Sequence, residues 1–289
     1  MGGLVSIARF FRVPYLTWSV SSQQVDSRLA QVIFRWVLAG AAGLTCRDAH
    51  TQRLFAASGR PGVTITADPV FRMAADPVAA RDILHRARVT PDERPLAALT
   101  PRTLRVAHRE AETHYRITSE ASLVKEIELY SAALDWLWGQ GYQPLFVPMN
   151  TVPPDDDRIA ARMIAEKAAF GSQAKWIDEP LPPWAAPGIY AACALSLVSR
   201  VHGSVTAAMG GCPLAAYVFS PKQLGMMAAL QMQEYILDEY SSAGDVIRVL
   251  EDLHADRDLL RDHLTARAAV LAEDALVPAR LTAGILGRG

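Results

Sequence analysis

The apolar residues of this chain fall into short runs that alternate with longer stripes at helical spacing. Val13–Val20 (VPYLTWSV) predicts a strand. Ser27–Gly40 places Leu29, Val32, Ile33 and Val37 at helical spacing and stops near Gly40, which predicts a helix. Gly43–Cys46 predicts a short strand running into Arg47-Asp48. Residues 49–57 then predict a helix closed by Gly59, and Val63–Thr66 a strand ending at Ala67-Asp68-Pro69. Alternation of this kind predicts an α/β fold, a parallel sheet with helices on its faces.

Residues 74–101 break the rhythm. Pro77, Pro91, Pro95 and Pro101 stand among mixed charges with little periodicity, which reads as a linker or an inter-domain crossing. The alternation restarts with a strand at Leu104–Ala107 and a long amphipathic helix over Ser119–Gly139. That helix carries Leu123, Ile127, Tyr130, Leu134 and Leu137 on one stripe, with Ser119 placed to cap it. Pro144–Val147 predicts a strand and Asp155–Phe170 a helix with an acidic first turn. Lys175–Ile177 fits either class. Leu195–Ser199 reads as a buried strand, Ser204–Met209 as a short helix, Leu214–Phe219 as another strand, and Gln223 onward as mostly helical.

Composition narrows the class. A length of 289 residues suggests about two domains. An apolar fraction of 51% against 20% charged residues is enough for a core and excludes a disordered chain. Twenty-nine basic and 30 acidic side chains leave a net charge of −1, which excludes a globally basic nucleic-acid binder. Cys46, Cys193 and Cys212 are too few and scattered for a disulfide framework or a zinc knuckle, and read as reduced, buried thiols of a cytosolic protein. The apolar start is interrupted by Arg9 and Arg12, unlike a signal peptide, and no run approaches the ~20 apolar residues of a membrane span. A peripheral membrane contact stays open.

Ligands of open α/β sheets bind at the carboxyl ends of strands, beside helix N-termini. The strongest such place is SLVSRVHGSVTAAMGG, where an apolar strand delivers Arg200 and His202 and Gly203-Ser204 opens a helix. A guanidinium, an imidazole and free helix N–H groups make a natural anion site. The alternative is an Arg200 paired with a helix carboxylate and a His202 bonded within its turn. Arg47-Asp48 reads as a mutually satisfied pair anchoring a strand–helix junction. Asp68 could accept a substrate hydroxyl proton or cap the turn before Pro69. His108-Arg109 ends the predicted Leu104–Ala107 strand, and Lys222 follows Phe219-Ser220-Pro221.

Several chemistries find no support. The sequence has no G-x-x-x-x-G-K-[ST] loop, no G-x-G-x-x-G after a strand and no G-x-S-x-G elbow. His50, His85, His114, His254 and His263 have no metal-like spacing with acids or cysteines, so no metal site is expected. Asp155-Asp156-Asp157 follows Pro153-Pro154 and reads as a helix N-terminal turn rather than a cation site.

Taken in order, these motifs resemble the polysaccharide pyruvyl transferase family. The resemblance rests on Thr45-Cys46-Arg47-Asp48-Ala49-His50-Thr51, on Ala67-Asp68-Pro69-Val70-Phe71 and on Val106-Ala107-His108-Arg109. It continues in Arg200-Val201-His202-Gly203 and in Gly211-Cys212-Pro213 leading to Phe219-Ser220-Pro221-Lys222. Phe219 stands where the family commonly has tyrosine.

The resemblance implies two Rossmann-like domains of glycosyltransferase-B type, the N-terminal one truncated. It places a partial acceptor-side domain plus linker at 1–100, a donor-side domain at 101–240 and a helical tail at 241–289. It also implies transfer of a pyruvyl group from phosphoenolpyruvate to a sugar of a glycan or glycan precursor, forming a ketal. No cofactor is implied, phosphoenolpyruvate being a co-substrate. Arg109, Arg200, His202, Gly203 and Lys222 would bind it, His202, Arg200 and Asp68 would be catalytic, and Arg47 and Asp48 would support the site. The implied partners are the small-molecule donor and a saccharide acceptor, with peripheral membrane contact through a lipid-linked acceptor and a homo-oligomer both open. The implied location is the cytoplasm, at the inner face of the membrane for such an acceptor, and the implied process is exopolysaccharide or cell-surface glycan synthesis. Two other readings stay open: a glycosyltransferase or sugar-nucleotide enzyme on the same scaffold, and a non-catalytic binding or assembly subunit.

Overall fold

Short apolar runs become parallel strands and the stripes between them become covering helices. The computed structural model describes residues 2–22, 27–89, 93–102, 120–153 and 155–287. Its contacts divide the chain into two units, Met1–Arg72 with Ala269–Gly289, and Met73–Ala268.

The first unit runs α1 (Gly2–Phe10), β1 (Leu16–Val20), α2 (Arg28–Ala39), β2 (Gly43–Cys46), α3 (Ala49–Ala57) and β3 (Thr64–Ile65). Its three parallel strands lie in the order β1-β2-β3. Leu38 of α2, Leu44 and Cys46 of β2, Phe55 of α3 and Val63 form one core, with Phe34 packed against it. The rings of Phe34 and Phe55 meet edge-on at 5.6 Å. Asp48 starts α3 by accepting the Thr51 N–H at 2.6 Å. After the C-cap Ser58, Gly59 turns the chain with a left-handed φ of +88°.

The second unit runs α4 (Pro77–Arg86), β4 (Leu96–Thr100), α5 (Glu120–Gly139), β5 (Gln143–Phe146), α6 (Asp157–Lys167) and β6 (Lys175–Trp176). It continues through α7 (Ala186–Ala191), β7 (Cys193–Val198), α8 (Val201–Met209), β8 (Leu214–Tyr217), α9 (Pro221–Leu230) and β9 (Ile236–Leu237) to α10 (Ala243–Ala255) and α11 (Arg257–Asp274). The last helix, α12 (Val277–Leu286), belongs to the first unit. The six parallel strands lie in the order β6-β5-β4-β7-β8-β9. The chain enters at the centre, winds outward to one edge, returns beside its first strand and winds to the other. The strand order therefore reverses between β4 and β7, and the crevice there is where doubly wound sheets bind ligands.

The stretch 74–101 is not a linker. Asp76 caps α4 by accepting the Val78 and Ala79 N–H groups at 3.0 and 2.9 Å, and Pro77 holds the first helical position. Leu96–Thr100 is a central strand, every residue of it buried. The division after Arg72 therefore replaces the expected boundary at 100/101. The tail expected at 241–289 is split, with Val246, Leu250 and Leu253 of α10 buried in the second unit and α12 in the first. The predicted strand Leu104–Ala107, with His108 and Arg109, lies outside the described residues.

Candidate functional site

The carboxyl ends of the first unit's strands are knitted together by hydroxyls and charges. The Thr45 hydroxyl donates to Thr17 C=O at 2.6 Å and accepts the Ser19 N–H at 2.8 Å, while the Ser19 and Thr66 hydroxyls lie 2.8 Å apart. Arg47 and Asp48 do not pair with each other, as adjacency suggested. Arg47 pairs with Asp68 and donates from Nε to Ser21 Oγ at 2.8 Å. The Ser21 hydroxyl passes to Asp48 at 2.6 Å, and Asp48 holds α3. Asp68 is 3% exposed and also accepts the Val70 N–H at 3.1 Å. These contacts make Asp68 the anchor of the β3 turn and are the capping arrangement that the sequence left open. The Cys46 thiol is fully buried there, and burial pushes its pKa up to about 11.

The second unit's site gathers at the β4/β7 switch point. Thr100 ends β4, and Ser199-Arg200 follow β7. The Tyr130 hydroxyl, from α5, donates to Thr100 C=O at 3.1 Å and lies 2.8 Å from Ser199 Oγ. Gln223 in the first turn of α9 donates to Ser199 C=O at 2.5 Å and to Tyr217 C=O at 3.1 Å, which ties the ends of β7 and β8 together. Arg200 is the N-cap residue of α8. His202 is exposed in the first turn, and its backbone C=O accepts the Thr206 hydroxyl at 2.7 Å. Gly203 lets that turn lie close to the sheet, since a Cβ there would stand 3.4 Å from both Thr100 Cγ2 and Val198 Cβ. Lys222 sits half-buried in the first turn of α9.

Arg200 is already engaged. Its Nε donates to Asp157 at 3.0 Å, Nη1 to Asp155 at 2.9 Å, and Nη2 to the Asp155 C=O at 3.1 Å. Asp157 is 1% exposed and also accepts the Met149 and Asn150 N–H groups. Burial works against the Arg200 cation, but Asp157 and Asp155 outweigh it and raise its pKa above the ordinary arginine value. The acidic run is a helix start as expected, with Asp156 capping α6. Its flanking members also neutralise Arg200.

Sequence reasoning missed Arg102, Glu126 and the part played by Asp155. Arg102 stands two residues beyond β4, as Arg200 stands two residues beyond β7. The Arg102 guanidinium carbon lies 4.8 Å from the Phe219 ring centroid, so the phenyl ring in place of a phenol still supplies a stacking face. Burial, and next the Arg200 cation, push the Arg102 pKa down. Its Nε lies 3.9 Å from Asp155 Oδ1, and neither atom has a hydrogen-bond partner among the described residues. Glu126 on α5 is fully buried and accepts the Arg102 backbone N–H at 2.8 Å, while its Oε2 has no partner among the described residues. Burial raises its pKa to about 7, against the pull of Ser199 and the Arg102 N–H. Among the described residues, Arg102, Glu126 and Asp155 each keep one buried polar atom without a partner, a local demand for a polar ligand or water.

The architecture is a Rossmann-like α/β fold of glycosyltransferase-B type. A Listeria monocytogenes protein described as a UDP-N-acetylglucosamine 2-epimerase superposes with a TM-score of 0.63 at 14% identity, over 98% of this chain and 70% of that one. The sucrose-phosphate synthase of Thermosynechococcus elongatus gives 0.61 at 13% identity, over 99% and 72%. S. aureus MnaA, solved with UDP, gives 0.60 at 13% identity, over 96% and 70%. Likeness at this identity establishes the fold alone. No curated protein matches the chain. The polysaccharide pyruvyl transferase family model matches residues 1–220, and the chain belongs to that family of transferases.

Proposed function

We propose that this chain transfers a pyruvyl group from phosphoenolpyruvate to two hydroxyls of one sugar in a glycan or glycan precursor, closing a cyclic ketal and releasing phosphate. The observation that carries the reading is the pair of arginines, Arg102 and Arg200, at the β4/β7 switch point, with Arg102 Nε left without a hydrogen-bond partner among the described residues. Phosphoenolpyruvate is a small, dense anion bearing a phosphate and a carboxylate, and planar guanidinium groups suit both. Asp155, with its side chain 27% exposed, occupies the position of a competing carboxylate on the two arginines. Donor binding would displace it while the buried Asp157 keeps Arg200 in place. Arg109, Gly203 and Lys222 remain donor-binding candidates.

In the proposed chemistry a proton adds to the methylene carbon of the enol, and a sugar hydroxyl attacks the neighbouring carbon. The second hydroxyl then displaces phosphate from that carbon. One hydroxyl proton balances the proton taken up at the methyl group and the other leaves with phosphate. His202, exposed at the start of α8, is the candidate proton carrier. Arg200 and the N–H groups of the α8 first turn would stabilise charge on the departing phosphate. Asp68, held by Arg47, serves the fold of its own unit in this account rather than acting as a base. The three free, buried cysteines support a reducing compartment, with a lipid-linked acceptor drawing the chain to the inner membrane face.

The test is incubation with phosphoenolpyruvate and a panel of saccharide glycosides. Acceptor-dependent phosphate release, with a product heavier by one pyruvyl ketal, is expected. Failure with every acceptor, together with turnover of a UDP-sugar by the same preparation, would overturn the reading in favour of a sugar-nucleotide enzyme.

A further inference from the structure

We propose that the face formed by α1 and α2 docks on an anionic lipid bilayer. Helix α2 buries Val37 and Leu38 and packs Phe34 against the core, yet Leu29, Val32, Ile33 and Trp36 form a second apolar stripe in solvent. Their spacing of i, i+3, i+4 and i+7 places them on one side of the helix. Helix α1 buries Val5 and exposes Leu4, Ile7 and Phe10, with Phe11 following its end. Phe10 is 80% exposed and Leu29 70%. The two helices are neighbours, since Arg9 of α1 donates to the Trp36 C=O at 3.1 Å and lies 4.6 Å from the centroid of its ring. Exposed apolar side chains on two neighbouring helices mark an interaction surface.

The charge around it selects the occupant. Arg9, Arg12, Arg28 and Arg35 are all exposed on or beside these helices, and neither helix carries an acidic residue. Apolar and aromatic side chains bordered by arginines form the surface that lies in the headgroup region of a membrane. Anionic lipid supplies the missing negative charge. A second copy does not, because a symmetric interface would bring two patches of like charge together. This inference stands apart from the identity of the donor, because none of these residues belongs to either strand-end site.

The test is co-sedimentation of the full chain with vesicles of phosphatidylglycerol and phosphatidylethanolamine, and separately with phosphatidylcholine vesicles. Binding to the anionic vesicles that high salt weakens is expected, with little binding to the zwitterionic ones. Each of Arg12→Gln and Arg28→Gln should lower partitioning about fivefold. Leu29→Asp with Ile33→Asp should lower it more than tenfold. Both leucine and isoleucine are exposed, so circular dichroism should be unchanged, and the arginine variants give an independent reading. A chain that stays in the supernatant with both vesicle types overturns the proposal. So does a dimer, measured by light scattering, that the Leu29→Asp/Ile33→Asp variant converts to a monomer without changing sedimentation.

Discussion

Glu126→Gln isolates the energetic cost of the buried carboxyl beside Arg102. In the native chain this carboxyl is fully buried and its pKa rises from 4.5 to about 7, with burial the main cause. The folded state therefore holds the proton more tightly than the unfolded state. Below pH 4.5 both states are protonated and the group costs nothing. As pH climbs from 4.5 to about 7 the unfolded chain is free to ionise while the folded one resists, so stability falls across that window and is constant above it. At about 1.4 kcal/mol for each pH unit, the whole window comes to about 3 kcal/mol. Glutamine keeps an oxygen that can accept the Arg102 N–H and cannot ionise. Urea unfolding of both chains at a series of pH values gives the comparison. The variant should be close to wild type in acid and more stable by about 3 kcal/mol at pH 8. Parallel stability curves for the two chains would refute the reasoning, because they would mean that Glu126 ionises in the fold as readily as in the unfolded chain.

Other substitutions separate supporting residues from donor-binding ones. Asp68→Asn should destabilise the first unit by about 3 kcal/mol, because it strands Arg47 in a mostly buried pair, and should leave phosphoenolpyruvate binding unchanged. Thermal unfolding and a donor titration measure the two effects. Asp155→Asn removes the carboxylate that competes for Arg102 and Arg200 while Asp157 remains, so donor affinity should rise about tenfold, read as a lower dissociation constant. Asp48→Ala removes the cap of α3 and the acceptor of Ser21, and should lower stability by about 1–2 kcal/mol in urea titrations.

The alternation of the first unit from β1 to β3 was legible in the sequence, with β1 starting at Leu16 rather than Val13, because short apolar runs there are punctuated by Gly40, Asp48 and Gly59. It did not reveal α1, where Arg9 and Arg12 interrupt the apolar run. It also hid α4 and β4. Pro77 reads as a breaker until Asp76 is recognised as its cap. Leu-Ala-Ala-Leu-Thr is buried throughout, so it shows no alternation, and alanine is a weak strand former. Missing β4 also left Arg102, two residues beyond it, unnoticed. Arg200, His202 and Gly203 were legible because a long apolar strand runs straight into them. The partners of Arg200 were not, since Asp155 and Asp157 lie more than forty residues away and only the parallel sheet brings them together.

Calorimetric titration of phosphoenolpyruvate into the full chain and into Arg102→Ala tests the central claim most directly. The account predicts saturable binding to the wild type and a dissociation constant at least tenfold weaker in the variant, a difference of about 1.4 kcal/mol. No binding to the wild type, or equal binding by both chains, would contradict it.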